Sequence, residues 1–195
     1  MNQKSNIVLF FVIILAVFSR LFITIPNFTV IGSLALFCGA ILSQNKKSIL
    51  IPFLALLAGD LILALSGKLY TDYFMDGYFV YVYVAFGLIW FIGKAISTKV
   101  KFKNILLASL ISSVSFFLIT NFGSWLQIPY YSKDLFGLGQ SYLAGLAFYN
   151  QELTSNFFLN QLVGDLFFAA LFFGLYSLVN KKSSNDLIPI KVKSK

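Results

Sequence analysis

The sequence predicts an all-α integral membrane protein with six transmembrane helices. Three observations lead to this prediction: the chain is strongly apolar, its apolar residues fall into six runs, and its lysines lie between those runs. Of the 195 residues, 58% are hydrophobic and only 11% are charged, whereas soluble domains average about 25% charged residues. The mean hydropathy is +0.83, and a bilayer is therefore the natural solvent for this chain.

The composition also excludes several kinds of site. The chain has no histidine and one cysteine, Cys38, which lies inside an apolar run. These counts exclude Ser-His-Asp and Cys-His catalysis, His-ligated zinc or haem, Cys-based metal clusters and an internal disulfide. We therefore expect no metal and no cofactor, and we do not expect an enzyme.

Six runs meet the requirement of about 20 mostly apolar residues for a transmembrane helix, although the second is short. The predicted spans are Asn6–Ile25, Phe28–Leu42, Ser48–Ser66, Gly77–Ile96, Asn104–Leu126 and Phe157–Val179. The first is too long for the apolar region of a cleaved signal peptide, and no small-x-small cleavage site follows it. We expect one transmembrane domain over residues 1–180 and a Lys-rich cytoplasmic tail over residues 181–195.

The basic residues predict the orientation of these spans. With the N-terminus inside, 12 of the 15 basic residues fall in cytoplasmic segments. They are Lys4, Lys46, Lys47, Lys94, Lys99, Lys101, Lys103, Lys181, Lys182, Lys191, Lys193 and Lys195. This distribution follows the positive-inside rule for a multi-pass protein of the cytoplasmic membrane with both termini in the cytoplasm. The charge of +8 is thereby explained without nucleic acid, and the tail is expected to meet membrane lipid at most.

One connection is long. Residues 127–156 form an outer loop between the fifth and sixth spans, and the loop contains an apolar stretch, Leu135–Tyr149. A structureless loop of this length is unusual in a compact domain. We expect a short helix here, either as a lid over a site or as a passive interfacial helix.

Three ionisable residues, Arg20, Asp60 and Asp165, lie within predicted spans. Insertion of each such residue near the centre of a membrane helix costs about 2.5–3.5 kcal/mol of free energy. Such residues are therefore kept when they form ion pairs, face water or have a functional role. Their depths differ by about one helical turn, and one guanidinium can bond two carboxylates. Arg20 is also the one arginine beside 14 lysines. A structural ion pair and a ligand site are both open readings.

Further polar residues are expected at the same outer level. Gln161 and Asp165 are four residues apart and share a helix face, while Asn27, Thr29, Asn121 and Trp125 stand at outer helix ends. Nine of the ten tyrosines also fall in the outer half, although tyrosine and tryptophan gather at membrane interfaces in any case. The asymmetry favours a polar and aromatic pocket that opens to the outside, where a small-molecule substrate binds.

Several motifs resemble an uncharacterised family of six-helix bacterial membrane proteins. The family is described as candidate transport proteins similar to the substrate-specific (S) components of energy-coupling-factor (ECF) transporters. The motifs of the first half are Pro26-Asn27-Phe28-Thr29, Ala35-Leu36-Phe37-Cys38-Gly39-Ala40 and Gly59-Asp60-Leu61. Those of the second half are Thr120-Asn121-Phe122-Gly123-Ser124-Trp125, Gly137-Leu138, Tyr142 and Gly164-Asp165-Leu166-Phe167.

The resemblance implies an ECF S-component-like fold and uptake of a vitamin or another micronutrient. It implies that Asn27, Thr29, Asp60, Asn121, Trp125 and Asp165 bind substrate, with Arg20 upstream. It also implies partners in trans, namely a transmembrane coupling protein and ATPases, because no ATP-binding loop exists in this chain. Helix 1 departs from the pattern, since it has only Ala16 where many S-components carry an Ala-x-x-x-Ala docking surface.

Two other functions stay open. A six-helix scaffold of envelope machinery would use the polar cluster for structure alone. An intramembrane aspartyl enzyme would use Asp60 and Asp165 as a dyad that shares one proton, but a nearby Arg20 would keep both carboxylates ionised.

Overall fold

The computed structural model describes residues 3–22, 25, 27–67, 77–146 and 156–185, with side chains for 10–19, 25, 27–67, 77–146 and 156–180. Within these residues the chain forms seven α-helices and one 3-10 helix, without β-strand. The α-helices are α1 (Gln3–Phe22), α2 (Ile31–Leu42), α3 (Leu50–Leu65), α4 (Tyr78–Ala95), α5 (Phe102–Gln127), α6 (Leu135–Leu146) and α7 (Phe157–Asn185). The 3-10 helix, Lys46–Ile49, leads directly into α3.

The predicted all-α class is confirmed, and each predicted span coincides with a helix. Four helical segments are long and apolar enough to cross a bilayer, which is the pattern of a multi-pass membrane protein. They are Lys46–Leu65, Tyr78–Ala95, Phe102–Gln127 and Phe157–Asn180. Crossing by all six, and the direction of crossing, stay predictions. The helix predicted within the long loop is present as α6, and α7 runs five residues past the predicted domain end at 180.

Helix α2 lies at the centre of the bundle. Ten successive residues, Ile31–Ala40, are buried, and α1, α3, α4, α5 and α7 all contact this helix. Helices that are apolar around their whole circumference are buried ones, and α2 has small or apolar residues on every face. At 12 residues it is about 18 Å long, too short for the bilayer core. Because protein encloses the helix along its length, neither its surface nor its ends have to be matched to lipid.

Two glycines allow α4 to approach α2 closely. A methyl group added at Gly39 would overlap the carbonyl oxygen of Trp90. One added at Gly93 would overlap the carbonyl oxygen of Leu36 and lie 3.0 Å from the nitrogen of Ala40. The helices therefore pack backbone against backbone, as small residues allow in membrane proteins.

The outward surface of α3 is a row of leucines. Leu50, Leu54, Leu57, Leu61 and Leu65 are each between 39% and 89% exposed, while Ala55, Leu56, Gly59 and Asp60 of the same helix are buried. A continuous apolar face of this length is stable when it is covered by lipid or another apolar surface. The apolar residues of the chain thus lie on the outer surface of the bundle as well as in its core.

The close crossing of α2 and α4 gives a stability prediction. Replacement of Gly93 by alanine should lower the free energy of unfolding by about 1–3 kcal/mol, because the new methyl group meets backbone that has no flexible end to move. Gly174→Ala is the matched control, since no described atom lies within 4 Å of the added methyl group. Unfolding of the purified full chain in mixed micelles measures the difference. Equal stability of the two variants would show that the crossing is looser than described.

Candidate functional site

A cavity of about 310 Å³ lies between the C-terminal half of α5, the helix α6 and the start of α7. Its lining residues with polar groups are Asn27, Tyr78, Thr120, Asn121, Ser124, Tyr130, Tyr131, Ser141 and Gln161. Its other walls are Phe116, Phe117, Phe157 and Phe158, with Ala144 and Gly145 on the side of α6. Residues with amide, hydroxyl and aromatic side chains therefore line one space.

Helix α6 covers this cavity with its small-residue face. Gly137, Ser141 and Gly145 are the buried residues of α6 and follow each other at intervals of four. Gly145 leaves room for the Asn121 amide, since a methyl group there would lie 2.6 Å from Oδ1 of Asn121. The opposite face carries Leu135 and Leu143, which are 86% and 65% exposed. The helix is therefore amphipathic, with its narrow side toward the cavity and its apolar side outward.

Asp134 fixes the start of α6. Its Oδ1 accepts hydrogen bonds from the backbone N–H of Gly137 and from Oγ of Ser132, both at 2.8 Å. These bonds, that from Gly137 first, hold the pKa of the Asp134 carboxyl below its usual range. The carboxylate is thus a charged N-terminal cap.

Asp165 lies deeper, directly below the cavity wall. It is 2% exposed, and its Oδ2 accepts hydrogen bonds from Nε2 of Gln161 at 2.6 Å and from Oγ of Ser113 at 2.8 Å. Gln161 belongs to the cavity lining and is also 2% exposed. The Gln161 amide therefore connects the carboxylate of Asp165 to the cavity.

The first turn of α2 packs against the same aspartate. A methyl group at Gly32 would overlap Oδ1 of Asp165, and Oγ of Ser33 donates to the carbonyl oxygen of Asp165 at 2.9 Å. The residue that precedes α2, Val30, supplies no side-chain cap. The positive end of the helix dipole is thus turned toward a buried acidic side chain.

Asp60, the second aspartate of the predicted cluster, is not among the residues that line the cavity. Asp60 is fully buried on α3. Helices α3 and α7 share no extensive interface within the described residues, whereas α2 contacts both. Among the described side chains, those that bond the Asp165 side chain are an amide and a hydroxyl. The side chain of Arg20 lies outside the described residues, so its predicted bridging of the two aspartates stays a prediction.

The other predicted site residues divide into two groups. Asn27, Asn121 and Gln161 are brought together at the cavity, and Asn27 occupies the left-handed region with φ 59°, which asparagine tolerates better than most residues. Thr29 and Trp125 are outside the lining. The Thr29 backbone nitrogen would lie 3.4 Å from a methyl group at Gly164, and Nε1 of Trp125 donates to the carbonyl oxygen of Ser132 at 2.8 Å. Trp125 therefore anchors the chain that leads to α6.

Sequence reasoning missed several residues of the site. Ser113 is one of several serines on α5, and its spacing alone does not distinguish it from Ser109 or Ser112. Phe117 and Phe158, whose ring centroids are 4.9 Å apart, resemble any other apolar residue of a span. Ser141 carried a usable signal, because it lies four residues from both Gly137 and Gly145 on one face of the predicted loop helix.

Ser113 and Ser112 offer a matched test of the Asp165 cluster. Both are about 99–100% buried, and Ser112 Oγ has no hydrogen-bond partner among the described residues. Ser113→Ala should lower the free energy of unfolding by about 1–2 kcal/mol, because it removes a hydrogen bond to a buried carboxylate. Ser112→Ala should change it little. Denaturation of both variants in the same micelles measures the pair, and equal losses would contradict the cluster.

Asp134 gives a second prediction, for the order of α6. Asp134→Ala should speed amide hydrogen exchange over residues 135–146, while Asp134→Asn should preserve most of the protection because asparagine also caps helices. Since the pKa of Asp134 is lowered on folding, its contribution is present at neutral pH and is lost as the pH falls below about 4. Exchange that is unaffected by Asp134→Ala would show that α6 is held by packing alone.

Comparison with known proteins identifies a family whose function is unknown. A family model described as a family of unknown function (DUF6580) matches residues 1–187. No curated protein and no solved structure matches the chain. The predicted likeness to an uncharacterised family is confirmed, and the likeness to ECF S-components stays a prediction. Because the match covers nearly the whole sequence, the chain belongs to the DUF6580 family.

Proposed function

We propose that this chain is a membrane transport protein that binds a small molecule in the cavity beneath α6 and takes part in its uptake. In this proposal the six predicted spans cross the bacterial cytoplasmic membrane with both termini inside, in the manner of an ECF S-component. The short helix α2 crosses within the bundle together with the non-helical residues 27–30 that precede it. The positive-inside distribution of lysines supports that direction. With that direction, the cavity and α6 would face the outer side, where a nutrient arrives.

The observation that carries the proposal is the composition of the cavity wall. About 310 Å³ is at the lower end of the range of small-molecule sites, which combine apolar walls with a few convergent polar groups. Here the amides of Asn27, Asn121 and Gln161 meet the rings of Phe117 and Phe158. Polar side chains are expensive in membrane helices, so their convergence on one space supports a binding role.

Arg20 and Asp60 also have a role in this proposal. Asp60 is fully buried, and α3 packs along α1, the helix that carries Arg20. We propose that Asp60 and Arg20 lock these two helices, while Asp165 supports the cavity through Gln161. The role of Arg20 as a direct substrate ligand is the other reading of the sequence, and it would be supported if Arg20→Ala abolished ligand binding without loss of stability.

Energy for uptake would come from partners in trans. A second, larger space of about 780 Å³ lies on the side of the bundle between the N-terminal part of α5 and the C-terminal part of α7. It is lined mainly by apolar and small residues, among them Phe102, Leu106, Ala170 and Gly174. We propose that a transmembrane partner, such as a coupling protein, or membrane lipid covers this groove.

The same groove favours a second candidate, a scaffold that organises envelope machinery without a ligand. In that case the groove, and not the cavity, is the working surface. Substitution of two alanines can distinguish the two candidate functions, because Ala144 lines the cavity and Ala170 lines the groove.

Mass spectrometry of small molecules that copurify with the full chain in mild detergent tests the proposal. Ala144→Leu should remove the copurified molecule, because the larger side chain fills the cavity, and Ala170→Leu should retain it. Both variants should fold, which thermal unfolding checks. If no small molecule copurifies and Ala170→Leu loses a cross-linked membrane partner, the scaffold is the better function.

A further inference from the structure

The start of α5 and the end of α7 lie side by side at one end of the bundle. The rings of Phe117 and Phe158 are 4.9 Å apart. One turn earlier on α5, Oγ of Ser113 donates to Oδ2 of Asp165, which is two turns later on α7, at 2.8 Å. Because the contacts advance along α7 as they go back along α5, the two helices are antiparallel. The groove of about 780 Å³ continues from this level toward the start of α5.

The lining of this groove changes from apolar to polar along α7. Its lining residues on α7 are, in order, Leu166, Ala169, Ala170, Phe173, Gly174, Tyr176, Ser177 and Asn180. A methyl group added at Gly174 would meet no described atom within 4 Å, so the space beside the helix is open there. Fourteen residue steps of a helix make about 21 Å, and half of a bilayer with its headgroup region is about 20–22 Å thick. The groove therefore has the length and the polarity gradient of a lipid in one leaflet.

Three lysines flank the polar end of the groove. Lys99, Lys101 and Lys103 are all exposed, and they alternate along the chain with Val100 and Phe102, which line the groove. A lysine side chain keeps its ammonium group in water while its stem lies along apolar surface. An apolar channel and a cationic rim thus adjoin each other at the start of α5.

The carboxylates of the described residues lie away from these lysines. Those residues are Asp60 and Asp165, which are buried within the bundle, and Asp134, which caps α6. The cationic rim therefore has its complement outside the described part of the chain. A second transmembrane helix fits poorly here, because the positive-inside rule places lysine and arginine at the cytoplasmic ends of such helices too, where they would repel the rim. An anionic lipid brings an apolar chain together with the opposite charge.

We propose that an anionic phospholipid occupies this groove, with an acyl chain along Ala170 and Gly174 and its phosphate beside the lysines at positions 99, 101 and 103. Anionic headgroups attract lysines close to the membrane surface, and the groove gives one such lipid a fixed position. The inference deepens the proposed function by naming what covers the groove. It rests on that function only for the direction of crossing, which makes the leaflet the cytoplasmic one.

Two phospholipids with the same oleoyl chains test the proposal. Dioleoyl phosphatidylglycerol is anionic, whereas dioleoyl phosphatidylcholine has no net charge. Native mass spectrometry of the full chain, released from nanodiscs that contain both lipids in equal amounts, should show phosphatidylglycerol retained in preference by roughly tenfold or more. This comparison uses the unaltered protein, so it does not depend on how any variant folds. Equal retention of the two lipids, or a transmembrane helix that cross-links into the groove in place of lipid, would overturn the inference.

Matched pairs of lysine variants locate the charge effect. Lys101→Gln combined with Lys103→Gln should remove most of the preference for phosphatidylglycerol. Lys46→Gln combined with Lys47→Gln removes the same charge from the 3-10 helix, which leads into α3, and should retain the preference. Helix α3 shares no extensive interface with α5 or α7 within the described residues. Equal losses in the two pairs would show that the lipid is held by the overall charge of this membrane face, and would refute the site.

A pair of alanine variants locates the acyl chain. Ala170→Leu should displace the bound lipid, because the larger side chain fills the groove. Ala64→Leu, at an exposed position of α3 outside the groove, should leave it in place. Thermal unfolding checks that both variants fold, and retention of phosphatidylglycerol by folded Ala170→Leu would contradict the assigned position.

Failure of the proposed function is distinguishable from failure of this inference. A small molecule that copurifies and is lost in Ala144→Leu, without a preference for phosphatidylglycerol, would uphold transport and refute the lipid site. Phosphatidylglycerol that is retained through Lys101 and Lys103, with no copurified small molecule, would uphold the lipid site and count against transport. Because Ala144 lines the cavity and not the groove, Ala144→Leu should leave the bound lipid unchanged.

Discussion

The enclosure of α2 is the constraint on which the rest of the structure depends. A helix of 12 residues cannot span the hydrocarbon core, and lipid cannot hydrogen-bond the backbone where such a helix ends. Five other helices surround it instead, and glycines at positions 39 and 93 let α4 come close enough to do so. The outer helices in turn present leucine and phenylalanine side chains outward, since their small and polar residues are needed within.

The same constraint positions the site. Because α2 begins only at Ile31, the chain at residues 27–30 is non-helical, and it is partly to fully buried against the bundle. Irregular backbone at membrane depth is tolerated where protein or a cavity surrounds it, and short or broken helices often mark binding sites for this reason. Here Asn27 reaches the cavity, while Gly32 leaves the space that the Asp165 carboxylate fills.

Much of this arrangement could be predicted from the sequence, and the limits have physical causes. Apolar runs predicted α1 to α5 and α7, and the composition of residues 135–149 predicted α6, because length and hydropathy are the main requirements of a membrane helix. The spacing of Gln161 and Asp165 predicted their contact, since residues four apart meet on a helix. The start of α2 and the role of Ser113 were not predictable, because both depend on which helix lies opposite.

Trp125 is another residue whose hydrogen-bond partner could not be predicted from the sequence. Its indole N–H needs an acceptor, and at the C-terminal end of α5 a ligand and a loop carbonyl were equivalent partners on sequence grounds. The acceptor is the carbonyl oxygen of Ser132, which follows α5 by a few residues and could be recognised only once the loop had a path.

The two buried aspartates differ in a way that bears on chemistry. A proton-sharing dyad requires two carboxyl groups a few ångströms apart, yet α3 and α7 share no extensive interface within the described residues. Asp165 instead accepts hydrogen bonds from the Gln161 amide and the Ser113 hydroxyl. This arrangement orients neighbouring side chains and does not resemble the activation of a nucleophile. A carboxylate that holds the Gln161 side chain at the cavity wall acts as a positioning group, which accords with the binding role proposed for the cavity.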